Sequence, residues 1–408
     1  MLMHMRGRSC LFVPVSYDRS LGQESSTCCV RRSRQMAPHK VYVCMSKEKS
    51  RETNFEVLRS LIMFFIVVWH SLVHGMNFAK AMNITKTMPV DLNSFISVFN
   101  YLSTGVLMTV TSVAVNCYVL ITGYFMINCG FKWNKILHIW VQTAFYSFLI
   151  ALIVKVTGLE SFGYGGLLFS AFPVWNGEYW FVTKYLGLVA LAPFLAKMPQ
   201  VLSRKEYETG LLVMFILNIY LSPYFSYGNI YGGGSSLLWF IFLFFVGGYI
   251  RLYNPFTRYK GQFGKWFLLC CLLFSAVYVV KDFLLYYVKG QVPDFGLGPF
   301  RNNSYEFFTA VLLFLWAKHH TFSSSSIVRF LVKIAPFTFG VYLIHDNNHV
   351  RNWLWETLDL TQFSGSCWLL FILFGISIAV FLICILLDYG RSRLFQLFHV
   401  KDILNGFF

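Results

Sequence analysis

Ten apolar runs separated by short polar connections take up most of this chain, and nothing else constrains its fold as strongly. They lie at about 57–75, 102–127, 136–157, 179–196, 209–222, 237–253, 265–288, 305–317, 334–345 and 367–388. A helix crossing a hydrocarbon core about 30 Å thick needs roughly 17–25 apolar residues. The eighth and ninth runs fall short of that length, so they extend into their flanks, tilt or thin the bilayer, and the ninth is open to a re-entrant reading. The fold class that follows is all-α, a polytopic membrane protein built as a bundle of about ten transmembrane helices. Composition agrees, with 56% hydrophobic and only 13% charged residues, proportions that exclude an ordinary water-soluble domain.

The loop charges test that count independently. Lys132 and Lys135 follow the second run, Lys197, Arg204 and Lys205 the fourth, and Arg251, Arg258, Lys260 and Lys265 the sixth. Lys318, Arg329 and Lys333 follow the eighth, and Arg391, Arg393 and Lys401 the tenth. Every even-numbered connection is basic, while the odd-numbered ones are uncharged, acidic or mixed. The positive-inside rule then puts both termini in the cytoplasm. The net charge of +16 arises from these short clusters, which suits topology and anionic lipid; no long basic tract interleaved with aromatics points to nucleic acid.

Residues 1–44 stand apart. They contain no apolar segment of secretory length, no helical period and four of the ten cysteines. Met45 then opens a compact basic lead-in, SKEKSRETNFEVLRS, to the first run. The expected organisation is a non-native or disordered leader over 1–44, with an organellar transit peptide as the alternative. A cytoplasmic lead-in over 45–56, a ten-span domain over 57–393 and a cytoplasmic tail over 394–408 complete it. The other six cysteines lie mostly in apolar runs, form no CxxC pair and read as small buried hydrophobes.

Within the first run, Arg59 and His70 are eleven positions apart. At about 100° and 1.5 Å per residue they share a helix face and lie roughly 16 Å apart along the axis. An arginine at the membrane rim therefore sets an imidazole near mid-membrane, and ionisable groups at such depth usually face a bundle interior or a wet cavity with a functional role. The bland alternative for Arg59 is a snorkelling anchor. No HExxH, phosphate-binding P-loop, dinucleotide turn or GxSxG elbow occurs, so no metal site or permanently bound cofactor is expected.

NFEVLRSLIMFFIVVWHSLVHG, with Arg59 and His70, resembles the opening helix of the acyltransferase-3 integral membrane acyltransferases. NCYVLITGYFM at 116–126 is similar to that family's second-span ending, YWFVTKYLGLVALAPFLAK at 179–197 to its Trp-Phe, Tyr-Leu, Pro-Phe span, and FTFGVYLIHDN at 337–347 to its late Tyr-Leu-Ile-His segment. The likeness is collinear from about Asn54 to Arg393 and corresponds to the stand-alone transmembrane form. It implies a multi-pass O-acyltransferase of the bacterial inner membrane. Its donor would be cytoplasmic acetyl-CoA or another acyl-CoA, and its acceptor a hydroxyl of an envelope polysaccharide or lipid-linked glycan. By that resemblance Arg59 binds the donor and His70 acts as general base or acyl carrier. A proton-coupled transporter of a glycan or small metabolite is the rival reading, although no internal repeat supports it.

The remaining candidates each have a structural alternative. Lys132 and Lys135 either touch donor phosphates or only set topology. His74, one turn beyond His70, and His345, closing the ninth run, belong to the acceptor cavity or are satisfied structurally. Lys184 pairs with Glu178 or meets substrate. Trp180 stacks on sugar or, like Tyr179, belongs to the interfacial aromatic belt. Tyr342 belongs with the late family-like segment. Asn116 reads as interhelical hydrogen-bonding glue.

Overall fold

The computed structural model describes residues 52–76, 90–128, 133–221, 236–290 and 304–406. The leader expected over 1–44 and the candidate Lys132 lie outside the described residues. The principal helices are α1 (Thr53–His70), α2 (Phe95–Thr111), α3 (Ala114–Met126), α4 (Trp133–Thr157), α5 (Trp180–Leu195), α6 (Arg204–Phe215), α7 (Leu237–Tyr253), α8 (Phe263–Lys289), α9 (Ser304–His319), α10 (Ser326–Ile334), α11 (Thr338–His345), α12 (Asn348–Thr357) and α13 (Leu369–Leu397). Among the described residues there is no strand, and the protein is an all-α polytopic membrane protein.

Each of the ten apolar runs carries a helix. Among the described residues seven helical segments are long and apolar enough to cross a membrane: Thr53–Gly75, Phe95–Met126, Asn134–Thr157, Trp180–Val201, Phe263–Lys289, Ser326–His345 and Leu369–Leu397. The short ninth run does extend into its flank, starting at Ser326, where Ser325 caps the first turn by accepting the Val328 N–H. Pro336 lies in a single 3-10 turn, Ala335–Phe337, that joins α10 to α11. The fifth run is led by the polar turn of α6, whose Ser203 and Glu206 form a reciprocal capping box. Apolar α7 is 17 residues long, near the lower limit for a span.

The break between α2 and α3 has a local cause. Thr109, Thr111 and Ser112 turn their hydroxyls back onto the carbonyls of Val106, Leu107 and Thr109 at 2.8, 2.7 and 3.2 Å. Clustered back-bonding of this kind bends a helix, and it leaves Thr111 and Ser112 on the wall of the central cavity.

Helices α3 and α7 pack most extensively because glycines let their backbones meet. A Cβ on Gly123 would lie 2.1 Å from the Phe244 carbonyl oxygen, and one on Gly247 2.3 Å from that of Leu120. This is the small-residue contact favoured where lipid removes the hydrophobic drive to associate. Asn116 accepts the Trp239 indole N–H at 2.9 Å and bonds the same two helices, as its sequence position suggested. Phe55 of α1 packs its ring at 5.0 Å from Phe125 and 5.4 Å from Phe314, which ties α1 to α3 and α9. The outward residues of α8, such as Leu268, Leu272 and Val280, remain exposed, as suits a face solvated by lipid. Cys117, Cys271 and Cys384 are buried, but Cys367 is exposed, since it precedes α13 instead of lying within it.

Candidate active site

Helix α1 is unbroken from Thr53 to His70, so the face shared by Arg59 and His70 survives folding. Both side chains line one cavity of about 390 Å³, together with Met63 and Ile66 between them, residues of α3 and α5, and Tyr342 of α11. Lys135, Trp180 and Tyr342 also line it. The cavity thus unites five of the sequence candidates.

At the Arg59 end the guanidinium is held before any ligand arrives. Glu56, one turn earlier on α1 and buried, forms an ion pair with it, and the ring of Phe125 lies 5.7 Å from its Cζ. The Tyr118 hydroxyl donates to the Arg59 carbonyl at 2.9 Å. Thr122 and Tyr185 hydroxyls meet at 3.1 Å on the cavity wall. Arginine offers five N–H donors in a fixed fork, so the Glu56 contact orients the group without exhausting it. Glu56 was not among the sequence candidates. Its spacing of three before Arg59 was the available signal, since such pairs are neighbours on a helix.

At the other end His70 Nδ1 lies 2.8 Å from His345 Nε2, and both residues are buried. The opposite nitrogen of His345, Nδ1, faces the Val341 carbonyl. A carbonyl only accepts, so His345 Nδ1 carries the hydrogen, and in the neutral ring its lone pair sits on Nε2. That lone pair accepts the Nδ1–H of His70. The basic nitrogen of His70 is then Nε2, on the ring edge turned away from His345. Asp346 brings Oδ1 to 3.8 Å from His70 Nδ1, and Arg351 reaches the same carboxylate oxygen at 3.3 Å.

Several sequence expectations need correction. His345 does not line the cavity but stands behind His70 and sets its tautomer. His74 also lies off the cavity wall: it stands in a π-turn, Ser71–Gly75, with its ring centroid 5.3 Å from that of His70 and next to Asp346. One ligand atom each from His70, His74 and Asp346 lies within 4.8 Å of the others, a cluster of metal-binding types that no sequence motif announced. Glu178 does not pair with Lys184; its Oε1 accepts the Asn348 N–H at 2.8 Å, capping the start of α12. Neither Glu178 nor Lys184 lines the cavity. Tyr179 is no belt aromatic: it is buried, donates to the Leu343 carbonyl at 2.8 Å and accepts from Asn347 Nδ2 at 3.0 Å, fixing the start of α5 to the end of α11. Trp180 and Tyr342 do face the cavity, with Phe181 packed edge-on to both rings at 5.9 and 5.7 Å.

Among curated proteins and among solved structures no match to the chain was found. The acyltransferase-3 family model, described as an acyltransferase domain, matches residues 52–389 and so takes in α1, the cavity and the His345 segment. The chain therefore belongs to the acyltransferase-3 family of membrane acyltransferases.

Proposed function

We propose that the protein transfers an acyl group, acetyl in the simplest case, from acyl-CoA to a hydroxyl of an envelope polysaccharide or lipid-linked glycan. The single observation that supports this most is the alignment of Arg59 and His70 along one wall of one cavity. Family membership favours acyl transfer over proton-coupled transport as the work of that pair. The regular alternation of basic connections supports both termini in the cytoplasm of a bacterial inner-membrane protein, with the donor entering from that side.

Arg59 and Lys135 would hold phosphates or the thioester end of the donor, Arg59 by charge-assisted hydrogen bonds in its fixed fork. The apolar wall of Met63 and Ile66 suits the donor's pantetheine arm, and the roughly 16 Å rise to His70 is of the length an extended arm spans. His70 Nε2 would take the proton of the acceptor hydroxyl as that oxygen attacks the thioester carbonyl. The C–S bond then breaks, and the thiolate recovers the proton to leave as free CoA. An alternative order passes the acyl group through His70 Nε2 first. Trp180 and Tyr342, on the same wall, are positioned to meet the acceptor.

The test is incorporation of radiolabelled acetyl from acetyl-CoA into the glycan fraction by membranes containing the protein. Label should appear with wild type and fall about 10²- to 10⁴-fold with His70→Ala, while donor binding persists. Equal incorporation by membranes lacking the protein would refute the proposal.

A further inference from the structure

His70 and His74 close α1 and its π-turn four residues apart. Their ring centroids are 5.3 Å apart, and Asp346, just past the end of α11, sets a carboxylate oxygen 3.8 Å from His70 Nδ1. One ligand atom from each of the three lies within 4.8 Å of the others. A tetrahedral ion with bonds of about 2.0–2.1 Å holds its ligands roughly 3.3 Å apart, so side-chain rotations of about an ångström close the gap. His70 and Asp346 are buried and His74 is half-buried, which makes His74 the entry ligand. Two imidazoles and one carboxylate suit a borderline dication such as Zn²⁺, Co²⁺ or Ni²⁺ better than Mg²⁺ or Ca²⁺, which prefer all-oxygen sets.

We propose that His70, His74 and Asp346 form a site for a transition-metal dication of the zinc type, and that its occupancy inactivates His70. The second half rests on the proposed acyl-transfer role of His70; the first does not. A neutral imidazole has one lone pair. Once that pair is given to a metal, none remains for a hydroxyl proton or an acyl group, so metal occupancy and transfer exclude each other. Asp346 faces Nδ1 of His70, so the ion takes the Nδ1 lone pair and the ring hydrogen moves to Nε2, the nitrogen that transfer needs free. The Nδ1–H bond to His345 is given up, and the lone pair of His345 Nε2, 2.8 Å from that nitrogen, turns toward the ion. Arg351 works against the ion. Its guanidinium lies 3.3 Å from the Asp346 oxygen, a fixed positive charge beside an incoming dication, so the site is tuned to be weak and reversible.

The test uses full-length protein purified in detergent. Titration with Co²⁺ should produce the visible d–d absorption of a low-coordinate site at one equivalent, displaced by Zn²⁺. His74→Ala and Asp346→Asn should each weaken binding at least about 10-fold, and Arg351→Gln should tighten it several-fold, a gain that a misfolded variant does not give. In parallel, Zn²⁺ should suppress labelled acyl transfer over the same concentration range in which it displaces Co²⁺, with recovery on adding a chelator. Cobalt spectra unchanged by His74→Ala, or weaker binding in Arg351→Gln, would overturn the site. Cobalt binding as expected with transfer indifferent to zinc would overturn the inactivation. Because binding is read by absorbance, absence of transfer in metal-free wild type would count against the acyltransferase reaction and not against the metal site.

Discussion

Gly123→Ala tests the packing that positions the cavity wall. The added methyl carbon would start 2.1 Å from the Phe244 carbonyl oxygen and 2.7 Å from its Cα, both backbone atoms of α7. Ordinary contact begins at 3.4 Å, so the two helices must separate by 1.3 Å along that line, and no flexible side-chain tip is available to yield instead. Overpacking of this kind typically costs about 1–3 kcal/mol. Thr122 adjoins Gly123 and, with Phe125, lines the cavity, so the separation also moves the wall that cradles Arg59. Gly105→Ala is the control: nothing lies within 4 Å of its would-be Cβ, and alanine gains about 1 kcal/mol of helix propensity over glycine. Thermal unfolding in detergent, followed by loss of the monodisperse peak, should show a lower midpoint for Gly123→Ala and an equal or higher one for Gly105→Ala. A Gly123→Ala protein that melts with wild type would refute the close backbone contact between α3 and α7.

Three further outcomes follow from the site and the chain's charges. His345→Ala removes the acceptor that fixes the tautomer of His70, and should reduce transfer roughly 10- to 100-fold at unchanged donor affinity; a change in donor affinity alone would contradict its place behind His70. Arg59→Lys keeps the charge but loses the planar fork seated on Glu56, so donor KM should rise well beyond that of Lys135→Ala, whose side chain is exposed. Matching KM values for the two variants would mean that charge alone attracts the donor. Reporters fused after Lys205 and after Lys333 should behave as cytoplasmic and one inserted near Gly233 as external, and an external signal at Lys205 would overturn the charge-based topology.

The features legible in the sequence were those with a period. Eleven residues of continuous α-helix decide the shared face of Arg59 and His70 without any knowledge of neighbours, and apolar length decides which segments become helices. What stayed hidden depends on contacts between distant positions or on local departures from α geometry. The His70–His345 pair joins residues 275 apart in sequence, and only folding shows that His345 stands behind His70. His74 is a ring neighbour of His70, 5.3 Å away as its spacing suggested, but it sits in a π-turn beside Asp346 and lines no part of the cavity wall, which the sequence did not show. Glu178 had a basic residue, Lys184, within reach along the chain, yet the N-terminal backbone of α12 claims its carboxylate. Tyr179, with an amphipathic ring at the start of a span, matched an interfacial role until the folded chain supplied both a carbonyl and an amide to its hydroxyl.

The central claim is that His70 performs the transfer from one particular helix face. Exchanging Trp69 and His70 preserves composition and shifts the imidazole by only about 1.5 Å in depth, but rotates it by about 100° away from His345 and Asp346. Because position 69 also borders the cavity, the exchange tests the supported face and not mere access to the cavity. Labelled acetyl incorporation by membranes containing the exchange variant should fall to the level of His70→Ala, while both variants remain inserted and still bind acetyl-CoA. Wild-type incorporation by both would contradict the assignment and return Arg59 to the role of a membrane anchor.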